Sequence, residues 1–338
     1  MEGTMRTLVI GDLHFVDKPR GILTAQLKAI VNILRDNQKE CSSVIFLGDL
    51  MTHRSPKPSV LLAIQKLFKH ARDLGYNCHV LRGNHDSMTK ADDGVTALSL
   101  FEQEGVRVYT HHHIDHYNNW VFIPHYEDES KIKKYLSDAP SGYVVFGHFG
   151  YNGVLNSAGD ADFSLSISDF KNPTILGHIH KETRNGNVTV LGTPYTTNFG
   201  EIKNDNYYGI LEGTSLEKVP CEYGPKHMVV DYDKVEENLD WLNSGDYNLV
   251  RVNVGTLDEG MASIAETIQS IKAPSVEIKY KPLLDERDEF FTDERTVSSV
   301  LSEDLIEHYI NSSNTKISKE DLLNGLKLVN ENQRSRNQ

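Results

Sequence analysis

Cysteine is scarce: the 338 residues hold three, Cys41, Cys78 and Cys221, and no CxxC pair. So sparse a set excludes a disulfide framework or a thiolate zinc site as the organising principle and fits a reducing compartment. A cytoplasmic location is the expectation, the host cytoplasm if the chain is phage-encoded. Long apolar runs are missing too. No stretch of roughly 18 uncharged apolar residues occurs, so no membrane span is expected. The opening MEGTMRTLVIGDL reaches an acid after a short apolar run, unlike a secretory signal. An excess of positive charge is also lacking: 48 Asp and Glu against 35 Lys and Arg leave a net charge of −13, which excludes a histone-like coat. Repeats and low-complexity tracts are absent, and 38% hydrophobic residues with 9% aromatics suffice for a packed core.

What is there is unevenly placed. Residues 1–200 carry 20 Lys and Arg against 21 Asp and Glu, a balance of −1, whereas 201–338 carry 15 against 27, a balance of −12. Histidine divides the opposite way, with 13 of 15 in the first 200 residues. A nearly neutral, histidine-rich chemical module followed by an acidic module is the simplest reading.

In the first 200 residues short runs rich in Val, Ile and Leu alternate with amphipathic stretches. The runs lie at 7–14, 43–50, 77–86, 143–150, 174–180 and 188–194 and read as strands buried on both faces. Residues 23–38 and 59–75 have apolar residues at helical spacing. Strand, helix, strand, helix, strand predicts an α/β layered fold. Added strands are expected over 105–123 and a short polar helix over 127–138. Beyond residue 226, two alternating segments (247–254 and 275–282) flank a helical one (260–273), a small β-α-β module of half-exposed strands. A charged stretch, 283–295, precedes two amphipathic segments, 296–311 and 318–333.

Each apolar run of the first module ends in residues able to hold a metal: Asp12 and His14, then Asp49, then Asn84, His85 and Asp86, then His148, then His178 and His180. In strand conformation i and i+2 point to one side, so Asp12 with His14, and His178 with His180, are pairs that could each converge on a point. The carboxyl ends of strands in open α/β sheets are where ligands gather. This mixed nitrogen and oxygen set suits Mn²⁺, Fe²⁺ or Zn²⁺ better than an all-oxygen calcium or magnesium cage. Glycine precedes Asp49, Asn84, His148 and His178, useful where the backbone turns sharply among crowded ligands. One such element alone would more often be a hydrogen-bonded histidine; five at strand ends of one module are a site.

In their order these five elements resemble the motifs of the calcineurin-like metallophosphoesterases. The stretches GDLMTHRSPKPS (48–59) and LGTPYTTNFGE (191–201) are most similar to SbcD-type nuclease subunits of double-strand-break repair complexes. The acidic stretch and terminal segments extend the likeness, more weakly, to the tailed-phage recombination endonuclease subunit. The resemblance covers 5–200 firmly and 226–335 in outline. It implies an α/β fold with a layered β-sandwich core flanked by helices, a small α+β cap domain and C-terminal partner-docking helices. The implied division is 1–225 nuclease domain, 226–282 cap, 283–295 acidic linker and 296–338 helical partner-binding segment. It further implies two divalent metal ions, Mn²⁺ first among them. Asp12, His14, Asp49 and His180 would hold one ion, and Asp49, Asn84, His148 and His178 the other, with Asp49 bridging. His85 would stabilise the transition state or protonate the leaving oxygen, and Asp86 would support its loop. Several relatives carry a second catalytic histidine three residues after the bridging aspartate; here that residue is Thr52, and His53 follows as a candidate substrate contact.

The implied activity is a metal-dependent DNA exonuclease and single-strand endonuclease in recombination, replication and repair. Its implied partner is an SMC-like coiled-coil ATPase, docked through 296–338 by apolar positions such as Val297, Val300, Leu301, Leu322 and Leu326 unless these helices pack on their own domain. A homodimer is a further expectation. Lys18, Arg20, Arg54, Lys57, Arg82 and Lys90 lie near the motif loops and either meet DNA phosphates or are ordinary surface charge. The tract HHHIDH (111–116) reads as a solvated loop between strands rather than a metal site. Rival functions are another phosphoesterase, a phosphatase or nucleotide hydrolase, or a structural DNA-end-binding subunit. The GDxVDRG string of protein phosphatases is absent and no ligand position is missing.

Overall fold

In the computed structural model the described residues are 6–104, 106–155, 159, 161, 163–255 and 261–280; the acidic linker 283–295 and the helical segment 296–338 lie outside them. The chain begins β1 (Arg6–Ile10), α1 (Ile22–Asn37), β2 (Cys41–Phe46), α2 (Pro58–Asp73) and β3 (Asn77–Leu81), as the apolar periodicity requires. Next come β4 (Arg107–Tyr109), β5 (His113–Asp115), β6 (Trp120–Ile123), α3 (Glu129–Asp138), β7 (Val144–His148), β8 (Thr174–Gly177), β9 (Thr183–Asn185) and β10 (Val188–Val190). A hairpin, β11 (Tyr207–Glu212) and β12 (Ser215–Pro220), was not expected from the sequence; β12 is largely exposed and lacks an apolar period. The chain continues with β13 (Lys226–Asp231), a one-turn α4 (Leu239–Leu242), β14 (Asn248–Val254), α5 (Met261–Ser270) and β15 (Ser275–Tyr280).

Two six-stranded sheets result, in the orders β12-β11-β1-β2-β3-β4 and β5-β6-β7-β8-β10-β9. Strands β1 to β4 are mutually parallel, as are β6, β7, β8 and β10, while β11, β12, β5 and β9 join antiparallel. The two-residue strand period sorts side chains into layers. On β1 and β2, Leu8, Ile10, Val44 and Phe46 pack with α1 and α2. Their alternates Val9, Ile45 and Leu47 meet Trp120, Phe122, Phe146 and Ile175 of the second sheet. On that sheet's other face Val121, Ile123, Val145 and Leu176 pack with Ile132 and Leu136 of α3. Helix, sheet, sheet, helix is the layered α/β sandwich expected, and it explains runs buried on both faces.

A third sheet, β13-β14-β15, is parallel throughout. Its core joins Met228, Val230, Val250, Val252 and Val254 to Ile264 and Ile271. The expectation of a half-exposed strand fails at β14, where five of seven residues are buried. This strand is central, and Leu249 with Tyr247 packs on Ile22 of α1. β13 was also missed. Met1–Pro282 form one compact unit, and among the described residues no helix is long and apolar enough to cross a membrane.

Candidate metal centre

The carboxyl ends of β1, β2, β3, β7 and β8 meet at one rim. There the ligand atoms of Asp12, His14 and His180 lie within 4.8 Å of one another, as do those of Asp49, His148 and His178. The groups adjoin at Asp49, whose Oδ2 is 3.6 Å from His14 Nε2 and 3.3 Å from His148 Nε2. Asn84 joins the second group, its Oδ1 lying 3.1 Å from His148 Nε2 and 2.9 Å from His178 Nδ1. All seven metal-ligand candidates are thus at one place, with Asp12 and His148 fully buried.

Apart from His148, the last residue of β7, the ligands follow the strands rather than lying within them, and three take left-handed backbone: His14 at φ 45°, Asp49 at φ 48° and His178 at φ 79°. Such a conformation costs a non-glycine residue about 1–3 kcal/mol and persists only where the surroundings hold it. His14 is held by main-chain N–H donation to Asp49 O (2.9 Å) and by its carbonyl accepting from Gln26 Nε2 of α1 (3.0 Å). His178 donates its N–H to Asp12 Oδ1 at 2.9 Å. That turn corrects the simple i, i+2 expectation: His178 and His180 belong to different groups. Glycines beside the ligands leave no room for a Cβ. A Cβ on Gly83 would stand 2.1 Å from Asp49 Oδ1, and one on Gly48, whose φ is 111°, would stand 2.4 Å from His148 Nδ1.

The donor set fits two divalent cations. His180 Nδ1 lies 2.5 Å from Glu201 Oε1 and donates its hydrogen bond there, which leaves Nε2, 3.0 Å from His14 Nε2, as the nitrogen that would hold a metal. Likewise His148 gives its Nδ1 proton to Leu47 O at 2.8 Å, which turns its Nε2 towards Asp49 and Asn84. With these rings neutral, nitrogen lone pairs and carboxylate oxygens face one another in a buried pocket, an arrangement a cation satisfies, and the nitrogen and oxygen mixture suits Mn²⁺, Fe²⁺ or Zn²⁺.

Electrostatics sharpen the picture. Burial raises the Asp12 carboxyl. Burial opposes ionisation of Asp49 too, but the charge of His148 and its hydrogen bond outweigh that and hold Asp49 well below the usual carboxylate range. Burial works against charge on His148, yet Asp49 and Asp12 raise it to about 9. Burial and then His180 push His14 well down.

His85 is half-buried beside this rim. Its backbone N–H donates to Asp49 Oδ1 (2.8 Å) and its Nδ1 to Thr52 O (2.7 Å). Asp86 accepts from Met51 N (3.1 Å) and Gly83 N (3.0 Å), tying the two loops that carry Asp49 and Asn84, and burial followed by the Asp49 charge lifts its carboxyl to about 7. His53 is exposed and lines a small cavity with Phe15, Asp17 and Lys57. Lys18, Arg20 and Lys90 are exposed. Lys57 pairs with Asp17 at 2.9 Å, and Arg54 lies 3.7 Å from Glu127. Arg82 is a correction. At 2% exposure it cannot reach DNA, and it donates instead to His125 O, Ser87 Oγ and Thr110 O inside the fold. The 111–116 tract is not simply a loop either, because His113–Asp115 is β5. His112 stacks on Tyr135 and His116 meets Tyr143, and no metal-capable group forms there among the described residues.

Two buried residues at the centre were missed. Glu201, at 2% exposure, holds His180, and its only local signal is the Asn198-x-x-Glu201 spacing of a capped turn. His125 lies 5.8 Å, ring to ring, from His178 and carries no signal in the sequence.

No curated protein matches this chain. Among solved structures, the cold-active protein-tyrosine phosphatase of a psychrophile, Shewanella sp., is similar at 11% identity over 65% of this chain and 81% of that chain, with a TM-score of 0.31. The family model for calcineurin-like phosphoesterases matches residues 5–182, the span that supplies every residue of the two ligand groups and Asn84, and the protein belongs to that family.

Proposed function

We propose that this phosphoesterase is a Mn²⁺-dependent DNA nuclease, cleaving phosphodiesters as an exonuclease and single-strand endonuclease in recombination, replication and repair. The observation that carries the reading is the pair of ligand groups meeting at Asp49, with His85 beside them. Asp12, His14, Asp49 and His180 would hold one cation, and Asp49, Asn84, His148 and His178 the other. Two divalent cations bound there would supply Lewis-acid polarisation of phosphate oxygens and an acidified water as nucleophile. His85 keeps a proton on Nδ1 because Thr52 O accepts it, so Nε2 is the atom at which a proton is gained and passed to the leaving oxygen. Asp86 fixes the His85 loop against the Asp49 loop.

Support for DNA over a small monoester comes from two features. A cavity of about 310 Å³ opens beside Asn84 and His178, lined by Arg54, Lys90 and the aromatic ring of Phe163, a size and character suited to a nucleotide. The LGTPYTTNFGE stretch that resembles nuclease subunits wraps the centre, with Tyr195 Oη donating to Leu13 O (2.6 Å) and Glu201 reaching His180. The net charge of the first 200 residues is −1, so two divalent cations would turn this module positive while the acidic remainder repels stray DNA. An SMC-like ATPase docked through 296–338 would deliver the substrate; pull-down undiminished by deleting those residues would sink that part. For the activity, labelled DNA with Mn²⁺ should be degraded by the wild type and not by His85→Ala. Equal degradation by both, or no degradation by either while a phosphomonoester is hydrolysed, overturns the nuclease reading.

A further inference from the structure

We propose that Glu201 is a positioning residue for one metal position, and that the third sheet holds it in place. This rests on the ligand assignment above. Glu201 is a carboxylate buried at the end of a short turn, Phe199–Glu201. Its Oε1 accepts from His180 Nδ1 (2.5 Å), Thr197 Oγ1 (2.7 Å) and Asn198 Nδ2 (2.6 Å), and its Oε2 accepts from Thr197 N (2.7 Å). Four donors fix the carboxylate, which fixes the His180 ring and delivers Nε2 to the Asp12 and His14 side of the centre. Such outer partners typically set metal affinity by about 10- to 100-fold.

The second position is built otherwise. The ring of His148 is oriented by a main-chain carbonyl, Leu47 O, at the end of a central strand. A backbone partner there is as fixed as the sheet itself, whereas Glu201 stands on a loop that needs its own support. The third sheet supplies it. His227 of β13 donates its N–H to Thr196 Oγ1 (2.9 Å), and its ring lies edge-on to Phe199 at 4.7 Å. The Arg251 guanidinium of β14 sits 4.0 Å over the Phe199 ring and is paired with Glu277 of β15. Strands β13 and β14 therefore touch the turn that ends in Glu201, and β15 holds Arg251 through Glu277, so one metal position leans on the third sheet while His148 leans on the first.

Calorimetric titration of the full chain with MnCl₂ separates the possibilities. The wild type binds two ions; if it binds none, the ligand assignment fails and not merely this inference. Glu201→Ala is expected to weaken one ion by about 10- to 100-fold and leave the other unchanged. Glu201→Gln, whose amide oxygen still accepts from Nδ1, restores most of the loss, and Arg251→Leu produces a few-fold loss at the same position. In a His180→Ala background Glu201→Ala adds nothing further, because the ring it holds is gone. Should Glu201→Ala fail to fold, Glu201→Asp, too short to reach both Thr197 and His180, is expected to show the same selective loss. Two ions bound with wild-type affinity by the folded Ala or Asp variant, or equal weakening of both, overturns the proposal.

Discussion

Two buried histidines of this fold, His148 and His79, show how little burial alone says. His148 is fully buried at the rim of the sandwich and His79 is 2% exposed between the two sheets. Around His148 stand Asp49 at 3.3 Å and Asp12 at 3.8 Å, and the imidazole is lifted to about 9 despite its burial. Around His79 stand the rings of Tyr109, Phe122 and Trp120, with Nδ1 2.8 Å from Tyr109 Oη, and burial, followed by the charge of Arg107, drives it down to about 4. One histidine belongs to a site and the other to a core. Each is defined by whether carboxylates or aromatic rings close around it.

Exchanging each for alanine should give crossed outcomes, and this is the largest effect expected. His148→Ala removes a metal-ligand candidate and should lower phosphoesterase activity by at least about 10³-fold while changing the melting temperature little. His79→Ala leaves a void among aromatic rings and should cost about 3 kcal/mol of stability while the folded enzyme keeps its activity. Parallel kinetics and denaturant unfolding check both; a His148 variant that unfolds, or a folded His79 variant that is inactive, would erase the distinction.

Next in size is His85, which is neither a core residue nor part of a ligand group. His85→Ala should lower kcat by about 10²- to 10⁴-fold with two Mn²⁺ ions still bound by titration. Loss of an ion together with activity would instead make it part of the metal cage.

The core histidine also predicts a pH dependence. An unfolded histidine protonates near 6.5, whereas folded His79 resists until about 4, so its contribution is complete above pH 6.5 and is lost as pH falls from there through 4. Between pH 7 and pH 5 that amounts to about 2 kcal/mol. In His79→Phe this part of the acid destabilisation should vanish from urea unfolding curves. An unchanged slope in that variant would assign the acid sensitivity elsewhere.

The two histidines were not equally legible in the sequence. His148 follows a glycine at the end of an apolar run, and five such endings announced a metal centre. His79 sits inside a run, and only its placement on a strand could be read. Strand ends and the parallel core were legible because the two-residue and helical periods are local. The separation of His178 from His180 came from the family resemblance and not from spacing, in which a left-handed backbone at one residue leaves no trace. Burial of Arg82 escaped because its three acceptors come from 28 or more residues away in two cases, Thr110 and His125. Glu201 escaped for the same reason, its histidine lying 21 residues earlier.

His53 is the smallest and most discriminating case, because it stands next to the centre in sequence without joining it. At the position where the family resemblance leads one to expect a second catalytic histidine the chain has Thr52, and the structure puts Thr52 to use. Its carbonyl accepts from His85 Nδ1 at 2.7 Å and its hydroxyl donates to His14 O at 2.9 Å. The chain then turns outward, leaving His53 exposed. On the nuclease reading proposed above, an exposed side chain next to the centre contributes through substrate binding rather than through the reaction. His53→Ala should therefore change kcat by less than about two-fold on a small phosphodiester and raise KM for DNA only a few-fold. A ten-fold fall in kcat on the small diester would place His53 with His85 in the chemistry, and sequence adjacency would have outweighed the fold.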